Sequence, residues 1–198
     1  MAEETSLTVA VLAAGQSRRF GEQDKLRVSF RGLMLGLHVV QTLPQLEIVR
    51  SAAHRIVVTT NPKHPCVPGW RDHGFKAVVN PDADEGMGTS VAQAARIARR
   101  ANSQHLLIVL ADMPLVPSSH YEVLVELAQS HGSTALVASS TKEAAMPPAV
   151  FGSDHFETLA ALSGDNGARD LLTSGEAIQC PPDWLADIDT PEVLNDLQ

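Results

Sequence analysis

The stretch Leu7–Lys25 constrains the fold of this chain more than any other. Its first part, Leu7–Leu12, is short, apolar and uncharged, which is typical of a buried β-strand. A loop with two glycines and three cations, Arg18, Arg19 and Lys25, follows at once. Glycines let a backbone approach a ligand closely, and cations beside exposed N–H groups suit a polyphosphate. At the end of a strand in an open α/β sheet, such a loop predicts a ligand site, although alone it is equally typical of a solvated surface loop.

The bulk composition excludes several classes of protein. The chain has 198 residues, 44% of them hydrophobic, and a formal net charge of −8. This length predicts one domain over residues 1–198 with a sizeable core, and the acidic balance argues against nucleic-acid binding. Cys66 and Cys180 are far apart and have no metal-ligand spacing, so neither a disulfide framework nor a zinc site is expected. No signal peptide or membrane-spanning run is present, and we therefore expect a cytoplasmic protein without membrane contact.

Apolar runs alternate with helical patterns along the chain. Strands are predicted at Leu7–Leu12, Arg55–Thr60, Lys76–Val79, His105–Ala111, Thr134–Ser139 and Glu176–Cys180. Helices are predicted at Met34–Leu43, Val91–Ala101, Ser119–Ser130, Asp154–Leu162 and Ala168–Thr173, and from Pro191 onwards. Asn61–Trp70 is predicted to be mostly loop, and Ala145–Phe151 to be irregular. The alternation predicts an α/β fold with a mostly parallel sheet in three layers.

Four loops follow predicted strands or open helices, and they carry the unusual residues. They are Gly15–Lys25, Gly86–Ser90, Asp112–Pro114 and Asp187–Thr190. Because the strands of a parallel sheet point the same way, these loops are expected to meet at one edge.

Two carboxylates in these loops have two interpretations each. Asp112 follows an apolar strand, where it could bind a metal or simply cap the next turn. Asp189 could bind a metal, or Asp189 or Thr190 could cap a final helix that begins at Pro191. Two carboxylates beside a basic glycine loop suit Mg²⁺ bound to nucleotide phosphates, with Lys25 or Arg18 neutralising phosphoryl charge.

The loop Gly86–Ser90 offers close backbone approach and two hydroxyls, but it is also typical of an ordinary glycine turn before a helix. No complete G-x-G-x-x-G, Walker P-loop or G-x-S-x-G motif occurs. The eight histidines share no spacing, and none is assigned a catalytic role.

These loops belong to a series of short blocks in a fixed order. The blocks are Leu12-Ala13-Ala14-Gly15-x-Ser17-x-Arg19-Phe20-Gly21-x-x-x-Lys25, Asn80-Pro81, Gly86-Met87-Gly88-Thr89-Ser90, Ala111-Asp112-Met113-Pro114, Pro147-Pro148-Ala149-Val150-Phe151-Gly152, Gly164-Asp165-Asn166-Gly167-Ala168-Arg169 and Asp187-Ile188-Asp189-Thr190-Pro191-Glu192. In sequence and order they resemble the MobA-like nucleotidyltransferases, and the branch they resemble most is the molybdenum cofactor cytidylyltransferases.

The resemblance implies a three-layer, Rossmann-like nucleotidyltransferase fold and Mg²⁺-dependent transfer of CMP from CTP to the phosphate of molybdopterin, with release of pyrophosphate. A molybdoenzyme that receives the product is a further implied partner. The implied catalytic residues are Lys25, Arg19 and Asp112, and the implied Mg²⁺ ligands are Asp112 and Asp189. The implied nucleotide contacts are Leu12, Ala13, Ala14, Gly15, Ser17, Arg18, Gly88, Thr89 and Ser90. The implied acceptor contacts are Pro148, Asp165 and Arg169. Ala13-Ala14, in place of the Ala-Gly-Gly pattern of the guanylyl branch, favours CTP.

Other functions remain open at this point. The acceptor could be another phosphorylated molecule, such as a sugar or polyol phosphate, or the nucleotide could be GTP. An oxidoreductase that uses NAD(P) or a flavin is a second class, which the missing dinucleotide motif disfavours. A chaperone that only holds a pterin cofactor is a third class, and it would not need Asp112 and Asp189.

Overall fold

The computed structural model describes residues 6–15, 17–21, 23–141, 144–164 and 168–198. Its strands are β1 (Leu7–Ala13), β2 (Ser29–Phe30), β3 (Leu33–Met34), β4 (His54–Thr59), β5 (Lys76–Val79), β6 (His105–Leu110), β7 (Leu136–Ser140), β8 (Ala145–Gly152) and β9 (Glu176–Gln179). Its α-helices are α1 (His38–Thr42), α2 (Glu47–Arg50), α3 (Val67–Asp72), α4 (Met87–Arg100), α5 (Ser118–His131), α6 (Phe156–Ala160), α7 (Arg169–Leu172) and α8 (Pro191–Leu197).

Seven of the described strands form the central sheet, in the order β5-β4-β1-β6-β8-β7-β9. All neighbouring pairs are parallel except those of β8, which runs antiparallel to both β6 and β7. In register, Leu12 lies between Val58 of β4 and Leu110 of β6, so three parallel strands end at the same edge. This arrangement confirms the predicted α/β fold with a mostly parallel sheet.

The two faces of β1 pack against different layers of the fold. Leu7, Val9 and Val11 belong to one buried apolar cluster, which includes residues of α1 and α5. Ala10 and Leu12 belong to a second cluster, together with residues of α4 and α6. A strand buried on both faces explains the uninterrupted apolar run in the sequence. Among the described residues, no helix is long and apolar enough to cross a membrane.

Some predicted elements are wrong in their bounds. Asn61–Trp70 is mostly loop, as predicted, but α3 begins at Val67 within it, with Pro68 in the first turn, where a missing N–H costs nothing. The predicted helix over Met34–Leu43 is divided among β3, a 3₁₀ turn and α1, and Pro44 lies in a further 3₁₀ turn. The predicted helix from Val91 begins earlier, at Met87, since Gly86 has φ 112° and marks the break before it.

The segment predicted to be irregular, Ala145–Phe151, lies in β8, an interior strand of the central sheet. Its two prolines obscured the pattern, because proline cannot donate to a strand ladder. The structure accommodates them through a register shift: Ala138 of β7 pairs with Ala149, whereas Ser139 pairs with Met146. Pro147 and Pro148 therefore lie in a bulge, and the apolar residues after them continue the sheet.

Candidate active site

The four predicted loops meet at the carboxyl edge of the sheet, as expected. They line a cavity of about 500 Å³, which we call the charged cavity. Its lining residues are Leu12, Ala14, Gly15, Ser17, Arg19, Lys25, Ala83, Asp84, Gly86, Met87, Ser90, Leu110, Asp112, Asp187 and Asp189. The segment that carries Asp187 and Asp189 is held beside the end of β6, where the N–H of Ile188 donates to the carbonyl of Asp112 at 2.9 Å.

Lys25 lies at the centre of an ion-pair network in this cavity. Its Nζ donates to Asp112 Oδ2 at 2.5 Å and also to Asp189 Oδ1. The other oxygen of Asp189 accepts from Arg19 at 3.1 Å. The Lys25 side chain is only 10% exposed, whereas that of Arg19 is 72% exposed. Lys25 is therefore a fixed internal charge, and Arg19 is a solvated cation at the mouth of the cavity.

The charges of this network shift the pKa values of Lys25, Asp189 and the neighbouring Asp187. Burial alone would lower the pKa of Lys25, but Asp112 and Asp189 outweigh it and hold that pKa above its usual value. Burial also opposes ionisation of Asp189, yet Lys25 lowers the pKa of this carboxyl overall. Desolvation raises the pKa of Asp187, and the nearby charges of Asp189 and Asp112 raise it further.

The backbone around Lys25 is held by polar side chains. Ser17 adopts a left-handed conformation, with φ 50°, and its Oγ accepts the N–H of Lys25 at 3.2 Å. Asp24 caps the 3₁₀ turn that Lys25 opens, because its Oδ1 accepts the N–H of Leu26 at 3.0 Å. The predicted contacts of Asp165 and of the Arg18 side chain lie outside the described part of the structure.

The predicted contacts in β1 and the loop after it divide between the cavity and the core. Leu12, Ala14 and Gly15 line the charged cavity. Ala13 is buried in the core cluster on the other side. Its predicted contact with a nucleotide is therefore limited to its backbone.

The first turn of α4 is held by Asn80, whose Nδ2 donates to the hydroxyls of Thr89 at 2.9 Å and Ser90 at 3.0 Å. Ser90 lines the charged cavity, but Thr89 and Gly88 are not among its lining residues. Gly88 packs against Gly164, whose carbonyl accepts its N–H at 2.9 Å, and a Cβ at Gly88 would lie 2.9 Å from that backbone. Gly88 and Thr89 therefore help to fix the conformation of the turn that places Ser90 in the wall of the charged cavity.

A second cavity of about 200 Å³, the apolar cavity, adjoins the first. Both cavities include Leu12, Met87, Leu110 and Asp187 in their walls. The remaining lining of the apolar cavity is Val91, Ile108, Met113, Ala145, Met146, Pro147, Phe151, Ala168, Arg169, Leu172 and Leu185. Of the predicted acceptor residues, Arg169 lies in this wall, whereas Pro148 is buried and its carbonyl accepts from Ser139 at 2.8 Å.

The carboxylates of the charged cavity are chemically suited to a hard divalent cation. Within the described ranges, no group of three His, Cys, Asp or Glu side chains is arranged to hold a metal ion. Asp112 and Asp189 nevertheless contact the same ammonium group, so their oxygens lie close enough to share one cation. Mg²⁺ commonly takes one or two protein carboxylates and completes its shell with phosphate and water. The pair therefore fits such an ion.

Comparison with known proteins identifies the family. Residues 9–178 match the model of the MobA-like NTP transferase domain. The chain belongs to this family. The resemblance inferred from the sequence blocks is thereby confirmed, and the protein is a nucleotidyltransferase of the MobA-like family.

Two relatives of this MobA-like chain differ in name. Purine catabolism protein PucB of Bacillus subtilis (strain 168) is 35% identical over 195 residues, which cover 91% of this chain and 90% of PucB. A Pyrococcus horikoshii protein named "Probable molybdenum cofactor guanylyltransferase" is 31% identical over 112 residues, covering 56% of this chain and 51% of the relative.

Solved structures confirm the fold of the MobA-like chain. A nucleotidyl transferase from Methanothermobacter thermautotroptrophicus has a TM-score of 0.78 at 16% identity, covering 97% of this chain and 95% of the other. Rv0371c from Mycobacterium tuberculosis, in complex with manganese, has a TM-score of 0.68 at 19% identity and covers 98% of each chain.

The sequence did not identify every residue that lines the two cavities. Asp187 lines both cavities, but of the two aspartates in the predicted loop Asp187–Thr190 only Asp189 was assigned a role. Its spacing from Asp189 is a usable signal, since residues two apart in extended chain face the same side. Ala83 and Asp84 also line the charged cavity, and they precede the predicted glycine loop.

Proposed function

We propose that this protein transfers CMP from CTP to the phosphate of a molybdopterin-type acceptor and releases pyrophosphate. The observation that carries the proposal is the contact of buried Lys25 with both Asp112 and Asp189, at the carboxyl edge of the sheet. Such a site combines fixed positive charge with ligands for a metal, which is what transfer between two highly charged phosphates requires.

In the proposed reaction, an oxygen of the acceptor phosphate attacks the α-phosphorus of CTP, and the bond to the β-phosphate breaks. Lys25 and Arg19 neutralise charge on the phosphates, and the backbone from Leu12 to Gly15 orients the nucleoside. Asp112 and Asp189 would hold a divalent ion, proposed to be Mg²⁺, which supplies charge neutralisation when bound. Manganese in the related Rv0371c structure supports a divalent ion here. Positioning and charge, rather than covalent chemistry, supply the catalysis.

The apolar cavity is the proposed acceptor site. It shares a wall with the charged cavity, so an acceptor in it would reach the nucleotide phosphates. Arg169 in its wall is a cation that suits the acceptor phosphate. Asp165 and Pro148 complete the proposed acceptor contacts, with Pro148 acting through the shape of the bulge that it forms with Pro147.

The preference for CTP rests on Ala14, which lines the charged cavity at the position where the guanylyl branch is expected to have glycine. A side chain at this position narrows the space beside the base and favours a pyrimidine. GTP is the second candidate nucleotide, because a relative 31% identical over 112 residues is named as a guanylyltransferase.

Ligand-induced stabilisation tests the choice of nucleotide first. With Mg²⁺ present, CTP should raise the melting temperature more than GTP, since a ligand of the native state stabilises it. Pyrophosphate release with molybdopterin should then be faster with CTP. Turnover should also fall in Lys25→Ala, and the matched control is Lys76→Ala, which removes an exposed lysine on β5 and should leave turnover unchanged. If only GTP is turned over, the nucleotide substrate is GTP rather than CTP. If neither nucleotide is turned over, the proposed reaction is wrong.

A further inference from the structure

His64 is a buried histidine that the proposed reaction does not use, and both of its ring nitrogens are engaged. Its Nδ1 accepts the N–H of Cys66 at 3.1 Å. Its Nε2 must then carry the proton, and it donates to Asp24 Oδ2 at 2.6 Å. The residue is 5% exposed, and its ring stacks on Trp70, with 5.3 Å between ring centroids and an interplanar angle of 6°.

The acceptor of this hydrogen bond, Asp24, immediately precedes Lys25. The second oxygen of Asp24 caps the 3₁₀ turn Lys25–Arg27 through the N–H of Leu26. The direction in which the Lys25 side chain projects from this turn therefore depends on the orientation of the Asp24 carboxylate. The hydrogen bond from His64 is also the main reason that the pKa of Asp24 is lowered, so this carboxylate stays ionised.

A second contact joins the same two segments. The thiol of Cys66 donates to the carbonyl of Leu26 at 3.4 Å. Trp70, which supports the His64 ring, donates its Nε1–H to the carbonyl of Gly36 at 2.8 Å and is fully buried. The segment between β4 and α3 thus holds both sides of the turn that carries Lys25.

We infer that His64 is a positioning residue, which acts through Asp24 to aim the ammonium of Lys25 at the carboxylate pair and at the phosphates bound there. This inference rests on the proposed function for the identity of the substrate, but its geometry does not depend on which nucleotide is used. Displacement of a catalytic group by about 1 Å costs on the order of 10²-fold in rate, so a remote clamp of this kind affects turnover directly.

Two substitutions separate the contacts of His64. In His64→Asn, the amide oxygen replaces Nδ1 as acceptor for Cys66 but nothing reaches Asp24. In His64→Gln, the longer amide replaces Nε2 as donor to Asp24. The expected result is a kcat about 10- to 100-fold lower for His64→Asn with the nucleotide KM changed less than about threefold, and recovery of most of the activity in His64→Gln.

His105→Asn is the matched control, since His105 is also buried but bonds to the carbonyls of Ala128 and Gly132 near the opposite edge of the sheet. It should lower the melting temperature and leave kcat unchanged. If His64→Asn does not fold, Asp24→Asn breaks the same pair from the other side, and it should lower kcat in the same way while its amide oxygen retains the cap on Leu26.

Acylation of lysines by an N-hydroxysuccinimide ester, followed by peptide mass spectrometry, gives a readout without substrate. Lys25 should react slowly in the wild type and several-fold faster in His64→Asn, with exposed Lys76 unchanged in both. If the wild type turns over no nucleotide, the proposed function fails and this measurement still decides the role of His64. A lower melting temperature with unchanged kcat and Lys25 acylation would overturn the inference, as would equal losses in the Gln and Asn variants.

Discussion

The charged cavity and the apolar cavity share a wall but differ in what lines them. The charged cavity is built around ion pairs that join distant parts of the chain, since Lys25 and Asp189 are 164 positions apart in the sequence. The apolar cavity is lined mostly by aliphatic side chains and by Met87, Met113 and Met146. Arg169 and Asp187 are the charged members of its lining within the described residues.

The difference indicates a division of labour between the two regions. Phosphates present the same charge and geometry in every nucleotide, so fixed, paired charges suit the cavity proposed to hold them. Methionine is flexible and fills irregular gaps, so a methionine-lined cavity adapts more readily to a change of acceptor. In this family fold, we therefore expect substitutions in the charged cavity to change the rate, and substitutions in the apolar cavity to change the acceptor.

The largest effect is expected from Asp112→Asn. This change removes a ligand of the proposed metal, and it should lower turnover by at least about 10³-fold while the far-ultraviolet circular dichroism stays that of the wild type. Asp154→Asn is the control, because Asp154 is exposed and follows β8 at the opposite edge of the sheet. Unchanged turnover would exclude Asp112 as a ligand of the metal ion. Loss of folding would favour a capping role for Asp112.

Lys25→Ala is expected to have the next largest effect. It should lower kcat by about 10²-fold, since the internal charge disappears, and it should change the KM of the acceptor less than the rate. Steady-state kinetics over both substrates would measure this. A larger change in the acceptor KM than in kcat would indicate that Lys25 contacts the acceptor rather than the nucleotide.

Arg169→Ala tests the other side of the comparison. The acceptor KM should rise about tenfold through the loss of one charge-assisted contact, while nucleotide-induced stabilisation in Mg²⁺ stays unchanged. Arg99→Ala, on the exposed end of α4, is the control. A loss of nucleotide stabilisation in Arg169→Ala would mean that the two cavities do not act separately.

The smallest effect is expected from Asp187→Asn, which changes a residue in the wall shared by the two cavities. The pKa of Asp187 is raised in the folded protein, so the ionised carboxylate destabilises the native state at neutral pH. Its neutralisation should raise the melting temperature by about 1–2 °C at pH 7, because exposure weakens the repulsion. The gain should vanish as the pH falls through the raised pKa, where the native carboxyl takes up a proton. A gain that is independent of pH would contradict this cause.

The edge of the sheet on which the site lies could be predicted from the sequence. Asp112 directly follows an uninterrupted apolar run, and parallel strands bring such positions together. The Lys25 contact with Asp112 and Asp189 could not be read from spacing, since it spans 87 and 164 residues. The resemblance to a known family supplied that connection.

Other parts of the site depended on tertiary contacts that leave no local pattern. His64 was assigned no role because the eight histidines share no spacing, and its partner Asp24 lies 40 residues away in the sequence. Thr89 is predicted to contact a nucleotide, yet the single proton of its hydroxyl is within hydrogen-bond distance of the carbonyls of Gly86 and Asp82, in the turn before α4. Pro147 and Pro148 concealed β8, because the bulge that accommodates them exists only against β7.

The antiparallel strand β8 also bears on the order in which the chain folds. β7 and β8 are sequential and pair as a hairpin, so the part of the apolar cavity's wall that β8 supplies rests on a local contact. By contrast, β1 pairs with β6, which lies about a hundred residues away in the sequence. Lys25 and Asp112 follow these two strands, so their contact depends on this pairing. Closing long loops is entropically costly and slow. The hairpin can thus form early, whereas the charged cavity requires β1 and β6 to have paired, so its ion pairs indicate that this long-range part of the sheet has assembled.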